Sequence, residues 1–477
     1  MSWPRVFVNV VFLSIGAAVT WVFLNGRAPQ AASPVSRPVP GSVETAPVGA
    51  IQRAFEEWSA DPALGGALIG FCVLDENGEI EYASPLAWKA LCPASALKTV
   101  TTAAAFDLLG QEYRFETAIS AASKPSAAGV IAGNLVLVGG GDPTLSTTDL
   151  DVLAADLVKG GLKRVEGKVI ADASVFRGQP VSDHWNWGDI GNAYGAGAFG
   201  VNLDHNRLEL SFTPGSKLGD TAKLLPVPGS GKDTRWLNTV TTGPEGSGDQ
   251  VVVYSQPYGT AITLQGTVPM GRTFTITGSL PDPPATAARL LTAALEKAGV
   301  VIGGKTFPAA AASEKLAVHR SAPLPEIIDH LHRVSDNLEA QCLFLTMGRA
   351  KKEDSSKALR GYWEGRGISF EGLRLIDGSG LARANMIRPV DLAKVNHVAR
   401  RGPHGDRFRQ SLSTYVGGRV SSKLGAMSGV KTDVGFITTS DGRELTFCLM
   451  ANGLDPALGF WPLRDKLLLA VASAGSE

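Results

Sequence analysis

The stretch Cys92-Pro93-Ala94-Ser95-Ala96-Leu97-Lys98 opens a helical run that reaches Leu109. A serine and a lysine three positions apart share one face of a helix. The lysine amine can then reach the serine oxygen. If burial or a neighbouring cation lowers its pKa, it can remove the hydroxyl proton. A serine at a helix N-terminus also gains from the dipole, which favours developing negative charge. Ser95 read alone is simply a helix N-terminal residue. Ser-x-x-Lys also recurs at Ser428-Gly429-Val430-Lys431, in a Gly-flanked turn before a strand.

Two further clusters stand downstream. Ser335-Asp336-Asn337 separates a helical stretch, Pro325 to Val334, from another, Leu338 to Arg349. A loop between helices can aim a hydroxyl and an amide into a cleft, although Ser, Asp and Asn are also the favoured capping residues. Lys423-Leu424-Gly425 lies on an expected strand that starts at Arg419. Read alone it is a solvated lysine at a strand edge.

The two ends of the body mirror each other. Val48 to Ser59 reads as an amphipathic helix, and Gly70 to Asp75, Asn77-Gly78 and Ile80 to Ala83 as a hairpin. Gly435 to Thr439, Asp441-Gly442 and Glu444 to Asn452 form a second hairpin, and Trp461 to Ala474 a closing helix. This pattern predicts one antiparallel sheet built from both termini with helices on its faces, an α+β architecture. Between about Phe115 and Ser313 short strand patterns dominate, closely punctuated by Gly and Pro, and predict inserted β-rich domains. The boundaries drawn are 48–113 with 314–477 for the main domain, 114–140 with 218–313 for one insertion, and 141–217 for a second.

Composition narrows the function classes. Across 477 residues, 45 Lys and Arg balance 45 Asp and Glu, which excludes an electrostatic nucleic-acid binder as the default. At 44% hydrophobic content the chain has material for a buried core and is not disordered as a whole. Cys72, Cys92, Cys342 and Cys448 are widely spaced beside apolar residues and read as small buried side chains. Val6 to Leu24 carries no charge and is flanked by Arg5 and Arg27. It reads as an uncleaved anchor (1–25) in preference to a cleaved signal, followed by a Pro/Ala/Ser-rich linker (26–47). The body is therefore expected outside the cytoplasmic membrane, in the cell envelope or periplasm, with membrane contact through the N-terminal segment alone. Gly299 to Thr306 matches the Walker A string, but a helix precedes it and Phe307-Pro308 follows, so no nucleotide is expected. The seven histidines form no H-E-x-x-H, and no metal or cofactor is expected.

Ser-x-x-Lys, then Ser-Asp-Asn, then Lys-(Thr/Ser)-Gly, in that order, is the signature set of penicillin-recognising serine enzymes, and Lys423-Leu424-Gly425 stands in the third place. The chain resembles the D-alanyl-D-alanine carboxypeptidase/endopeptidases, the low-molecular-mass class C penicillin-binding proteins. The wide separation of Ser95 from Ser335 is similar to the large insertion of that family. Leu109 to Phe115, Leu137 to Leu145, Asp189 to Gly197 and Asp377-Gly378-Ser379-Gly380-Leu381 resemble it as well. The resemblance implies a transpeptidase-like domain that cleaves peptidoglycan stem peptides, with β-lactams as inhibitors. It implies Ser95 as nucleophile, Lys98 as its base and Ser335 as proton relay. Asn337 would hold Lys98 and the substrate amide, and Lys423 would supply positive charge. Asp336, Leu424, Gly425 and Ala426 would line the substrate, with the backbone N–H groups of Ser95 and Ala426 as oxyanion hole. The family places Thr or Ser where this chain has Leu424. A leucine cannot donate a hydrogen bond to the substrate carboxylate, a loss of about 1.5–3 kcal/mol. The alternatives are a catalytically impaired peptidoglycan-binding homologue, or a serine esterase or amidase of the same fold.

Overall fold

Asp75 accepts hydrogen bonds from the backbone N–H groups of Asn77 and Glu79, each at 2.8 Å, and Gly78 sits at φ +87°, where a Cβ would be strained. That turn joins Leu68–Leu74 to Ile80–Ala83 and begins the main sheet. The computed structural model describes residues 49–308 and 313–474. The expected anchor and linker, 1–25 and 26–47, lie outside the described residues.

The sheet is antiparallel and six-stranded. Its order is Ser413–Tyr415, Val420–Met427, Val430–Thr438, Glu444–Asn452, Leu68–Leu74, Ile80–Ala83. The strands from the two ends of the body pair directly, with Cys72 opposite Cys448. Alternation along these strands feeds two cores. Phe71, Val73, Phe447 and Leu449 meet the helices Ala50–Ser59 and Phe460–Ser473 through Ile51, Phe55, Trp58 and Leu467. Cys72, Leu74, Cys448 and Met450 face the other way, toward Val100, Leu343, Trp363 and Val395. The second layer contains the helices Lys98–Leu109, Leu324–Val334, Asn337–Lys351 and Pro389–Arg401. All four cysteines are buried and free.

The chain leaves this domain and returns through one antiparallel pair, Glu116–Ala121 against Glu314–Arg320, with Glu116 opposite Arg320. The excursion holds two cores. The first lies under a sheet ordered Glu314–Arg320, Glu116–Ala121, Leu135–Val138, Val169–Asp172, covered by helices Thr147–Lys159 and Pro283–Lys297. The second is all-β and gathers Leu210, Phe212, Val240, Ile262, Leu264 and Ile276. These cores divide the excursion at points other than 140/141 and 217/218. Leu135–Val138 runs parallel to Val169–Asp172, and Arg207–Thr213 pairs with Phe274–Ser279. Pairings so distant in sequence leave no local mark at a boundary. The first of these two parts is a mixed α/β unit, not a β-rich one, because helices cover its sheet. The Gly299–Thr306 string leaves the Pro283–Lys297 helix, forms the strand Val301–Ile302 beside Arg164–Val165, and opens no helix.

Candidate active site

Ser95 stands in a short 3-10 turn, Ala94–Leu97, that runs straight into the Lys98–Leu109 helix. Ala94, immediately before it, is fully buried at φ +46°, a left-handed backbone that costs a non-glycine residue roughly 1–3 kcal/mol. Two glycines hold this turn in place. A Cβ on Gly380 would stand 1.9 Å from the Ala94 carbonyl oxygen. A Cβ on Gly425 would stand 2.8 Å from both Ala96 N and Pro93 O, and 2.2 Å from Thr432 Oγ1. The glycine of Lys423-Leu424-Gly425 therefore lets the Val420–Met427 strand press against the serine turn.

Lys98 points into the interior with 0% exposure. Its Nζ lies 2.9 Å from Ser95 Oγ, 2.5 Å from Asn337 Oδ1 and 2.8 Å from the Ser379 carbonyl oxygen. Burial first, and then the Lys423 ammonium, hold the Lys98 amine well below the usual lysine range; the carboxylates of Asp377, Asp336 and Glu339 oppose this. An amine whose pKa is lowered and which lies within hydrogen-bond distance of a hydroxyl is the arrangement that general-base chemistry requires. Lys423 Nζ donates to Ser335 Oγ at 2.9 Å and to the Leu424 carbonyl at 2.9 Å. Burial lowers its pKa to about 8, against the pull of Asp433.

The Ser335-Asp336-Asn337 corner is built by helix ends. Ser335 closes Leu324–Val334 in a left-handed conformation, φ 58° and ψ 41°, and Asp336 caps Asn337–Lys351 by accepting the Glu339 N–H at 2.9 Å. The sharp reversal turns Ser335 Oγ toward Lys423 and Asn337 Oδ1 toward Lys98. Ser95, Lys98, Ser335, Asn337 and Lys423 are thus brought together. Asp336 is not with them. It is buried, and its carboxylate is taken by the cap, by Arg207 at 2.8 Å and by His205 at 3.5 Å. Expected to line the substrate, it instead positions the corner.

Leu424 and Ala426 alternate to the strand face opposite Lys423 and Gly425, across from Asp433 and Lys431. Leu424 is half-buried and Ala426 exposed. Ser413–Tyr415 pairs only as far as Ser422, so from Lys423 to Met427 that edge has no strand neighbour among the described residues.

Other residues at this site had no role assigned from sequence. Asp377, buried at 0% exposure, accepts from the backbone N–H groups of Ser379, Gly380 and Ala382 at 2.9, 2.6 and 2.8 Å and from Trp185 Nε1 at 2.8 Å. It shapes the loop whose Ser379 carbonyl holds Lys98. From the excursion, the Tyr194 carbonyl accepts from Asn337 Nδ2 at 2.8 Å. The only sequence signals were the segments Asp377 to Leu381 and Asp189 to Gly197, noted for resemblance without a role.

Residues 51–459 match the model of the D-Ala-D-Ala carboxypeptidase 3 (S13) family. The chain belongs to that family. It is a serine-type D-Ala-D-Ala carboxypeptidase of the low-molecular-mass class C penicillin-binding proteins. The D-alanyl-D-alanine carboxypeptidase of Actinomadura sp. strain R39 is 32% identical over 436 residues, covering 82% of this chain and 79% of that one. The fold is similar to the crystal structure of penicillin binding protein 4 from Haemophilus influenzae, with a TM-score of 0.75 at 22% identity, over 87% of this chain and 98% of that one. A second structure of that protein, complexed with a novel β-lactam, superposes with a TM-score of 0.73 at 21% identity, over 87% of this chain and 98% of that one.

Proposed function

We propose that Ser95 is the nucleophile and Lys98 its base in an acyl-transfer reaction on D-Ala-terminated or cross-linked peptidoglycan stem peptides. Ser95 Oγ attacks the carbonyl carbon between two terminal D-alanines as its proton passes to Lys98 Nζ. The proton returns through Ser335 to the leaving amine, the acyl-enzyme remains on Ser95, and water releases it. Lys423 keeps positive charge beside Ser335 and helps keep Lys98 neutral. The backbone N–H groups of Ser95 and Ala426 form the oxyanion hole; losing one such donor typically costs about a hundredfold or more in rate. The unpaired edge from Lys423 to Met427 accepts the peptide as an added strand.

The observation that carries this reading is the 2.9 Å contact between Lys98 Nζ and Ser95 Oγ, made by an amine with no solvent exposure. Among the described residues no helix is long and apolar enough to cross a membrane. Residues 1–47 are proposed as the export segment and tether that keep the enzyme in the cell envelope. Intact-protein mass spectrometry with and without benzylpenicillin tests the chemistry. The expected result is one covalent penicillin per chain, absent in Ser95→Ala. A folded wild-type protein without an adduct at high penicillin, and without turnover of a thioester, refutes it.

A further inference from the structure

Behind the Ser335-Asp336-Asn337 corner, three side chains from separate parts of the chain converge. His330 comes from the last turns of Leu324–Val334, Glu339 from the first turn of Asn337–Lys351, and His205 from the inserted region. One ligand atom from each lies within 4.8 Å of the other two. His330 Nδ1 is 2.8 Å from Glu339 Oε1, and His205 Nδ1 is 4.0 Å from the same oxygen. Around a tetrahedral zinc with bonds of about 2.0–2.1 Å, neighbouring donor atoms stand roughly 3.3 Å apart. The two observed separations bracket that value, and the third lies within 4.8 Å.

The polar bookkeeping points the same way. Glu339 is fully buried, and its Oε2 has no hydrogen-bond partner among the described residues; His205 Nδ1 stands 3.5 Å from Asp336 Oδ2, at the edge of hydrogen-bond reach. Asp336, its buried neighbour, is matched by Arg207. Glu339 is met instead by His330 and His205, with no lysine or arginine paired to it among the described residues. A buried carboxylate without a fixed cation is costly, and a dication removes the deficit.

We propose that His205, His330 and Glu339 form a second, non-catalytic site for a divalent transition cation. Two imidazoles and a carboxylate suit zinc in particular, with the remaining position left to water. The ion ties the inserted region to both helices that meet at the Ser335–Asn337 corner. None of its three ligands touches Ser95 or Lys98, and the Glu339 carboxylate reaches the Lys98 amine only through space.

The test is zinc retention by the full chain. The protein is stripped with chelator, exposed to zinc chloride, desalted and analysed for metal, and its thermal midpoint is compared with that of the stripped form. One zinc per chain and a midpoint raised by roughly 3 °C or more are expected. His205→Asn keeps a residue that tolerates φ +54°. His330→Gln is the companion variant should that one fold poorly. Changes in the outer shell of a metal site already cost about 10–100-fold in affinity, so loss of a ligand is expected to weaken zinc at least about a hundredfold. No zinc retained by the wild type, unaltered retention in the folded variants, or preferential retention of calcium or magnesium would each overturn the assignment.

Discussion

Asp377→Asn is a near-isosteric change with a large consequence. Oδ1 of Asp377 accepts from Ser379 N, Gly380 N and Asn385 Nδ2, and Oδ2 accepts from Ala382 N and Trp185 Nε1. An asparagine turns one oxygen into a donor. Its less costly orientation places NH2 where Oδ2 stood, against the N–H groups of Ala382 and Trp185. Two buried donors are then orphaned at about 1–3 kcal/mol each, a destabilisation of about 2–6 kcal/mol. That is a large share of the roughly 5–15 kcal/mol that holds a typical native domain together. The same loop carries the Ser379 carbonyl, 2.8 Å from Lys98 Nζ, and Gly380, wedged against Ala94. A shift approaching 1 Å there costs on the order of a hundredfold in rate. Denaturant unfolding and the second-order rate of benzylpenicillin acylation, followed by intact mass, measure both effects. Trp185→Phe keeps the carboxylate and its backbone donors, losing about 1 kcal/mol for the one hydrogen bond plus the packing of the indole atoms that phenyl does not replace, and should leave the acylation rate near wild type. An Asp377→Asn protein within about 0.5 kcal/mol of wild type, acylated at the wild-type rate, would refute the reasoning.

Two further outcomes are expected. Leu424→Thr supplies a donor at the free edge of the strand, on the face opposite the Lys423 side chain, where a β-branched residue is at home. One hydrogen bond to a carboxylate is worth about 1.5–3 kcal/mol, so benzylpenicillin acylation should rise roughly ten- to a hundredfold; an unchanged rate would show that position 424 does not meet the carboxylate. Lys423→Met bears on pH. The folded pKa of Lys423 is about 8, below the ordinary 10.5, so between those values the native state binds fewer protons than the unfolded chain. Its contribution to stability rises from about pH 8 to 10.5 and is lost as pH falls through about 8. At pH 7 the buried ammonium costs up to about 3 kcal/mol, which Lys423→Met removes. Denaturant unfolding at pH 7 and pH 10 should therefore show the variant gaining most at pH 7. Loss of that charge also raises the Lys98 pKa, so the acid limb of acylation should move to higher pH; a limb that stays put would separate the two lysines.

Local chemistry carried much of the design. The serine–lysine pair, the capping triplet, the Lys423 strand and the terminal hairpins each depend on residues a few positions apart. All were legible because helix and strand periodicities fix which neighbours share a face. The same reading assigned Asp336 to substrate. Only the packed structure shows Arg207 and His205, from the inserted region, claiming its carboxylate.

What brings Ser95, Ser335, Asn337 and Lys423 together, and what makes Gly425 necessary, is three-dimensional. The serine turn, the helix corner and the strand meet only when the sheet from both chain ends is closed. The roles of Asp377, Ser379 and Tyr194 likewise appear only in that assembly, since backbone carbonyls and buried caps leave no motif. His205, His330 and Glu339 show no metal-ligand spacing in sequence, because the inserted region delivers the first of them to the other two. Motif spacing reports contacts within one element. Contacts between elements follow from burial of apolar faces, which many sequences satisfy and which only the folded chain resolves into specific distances.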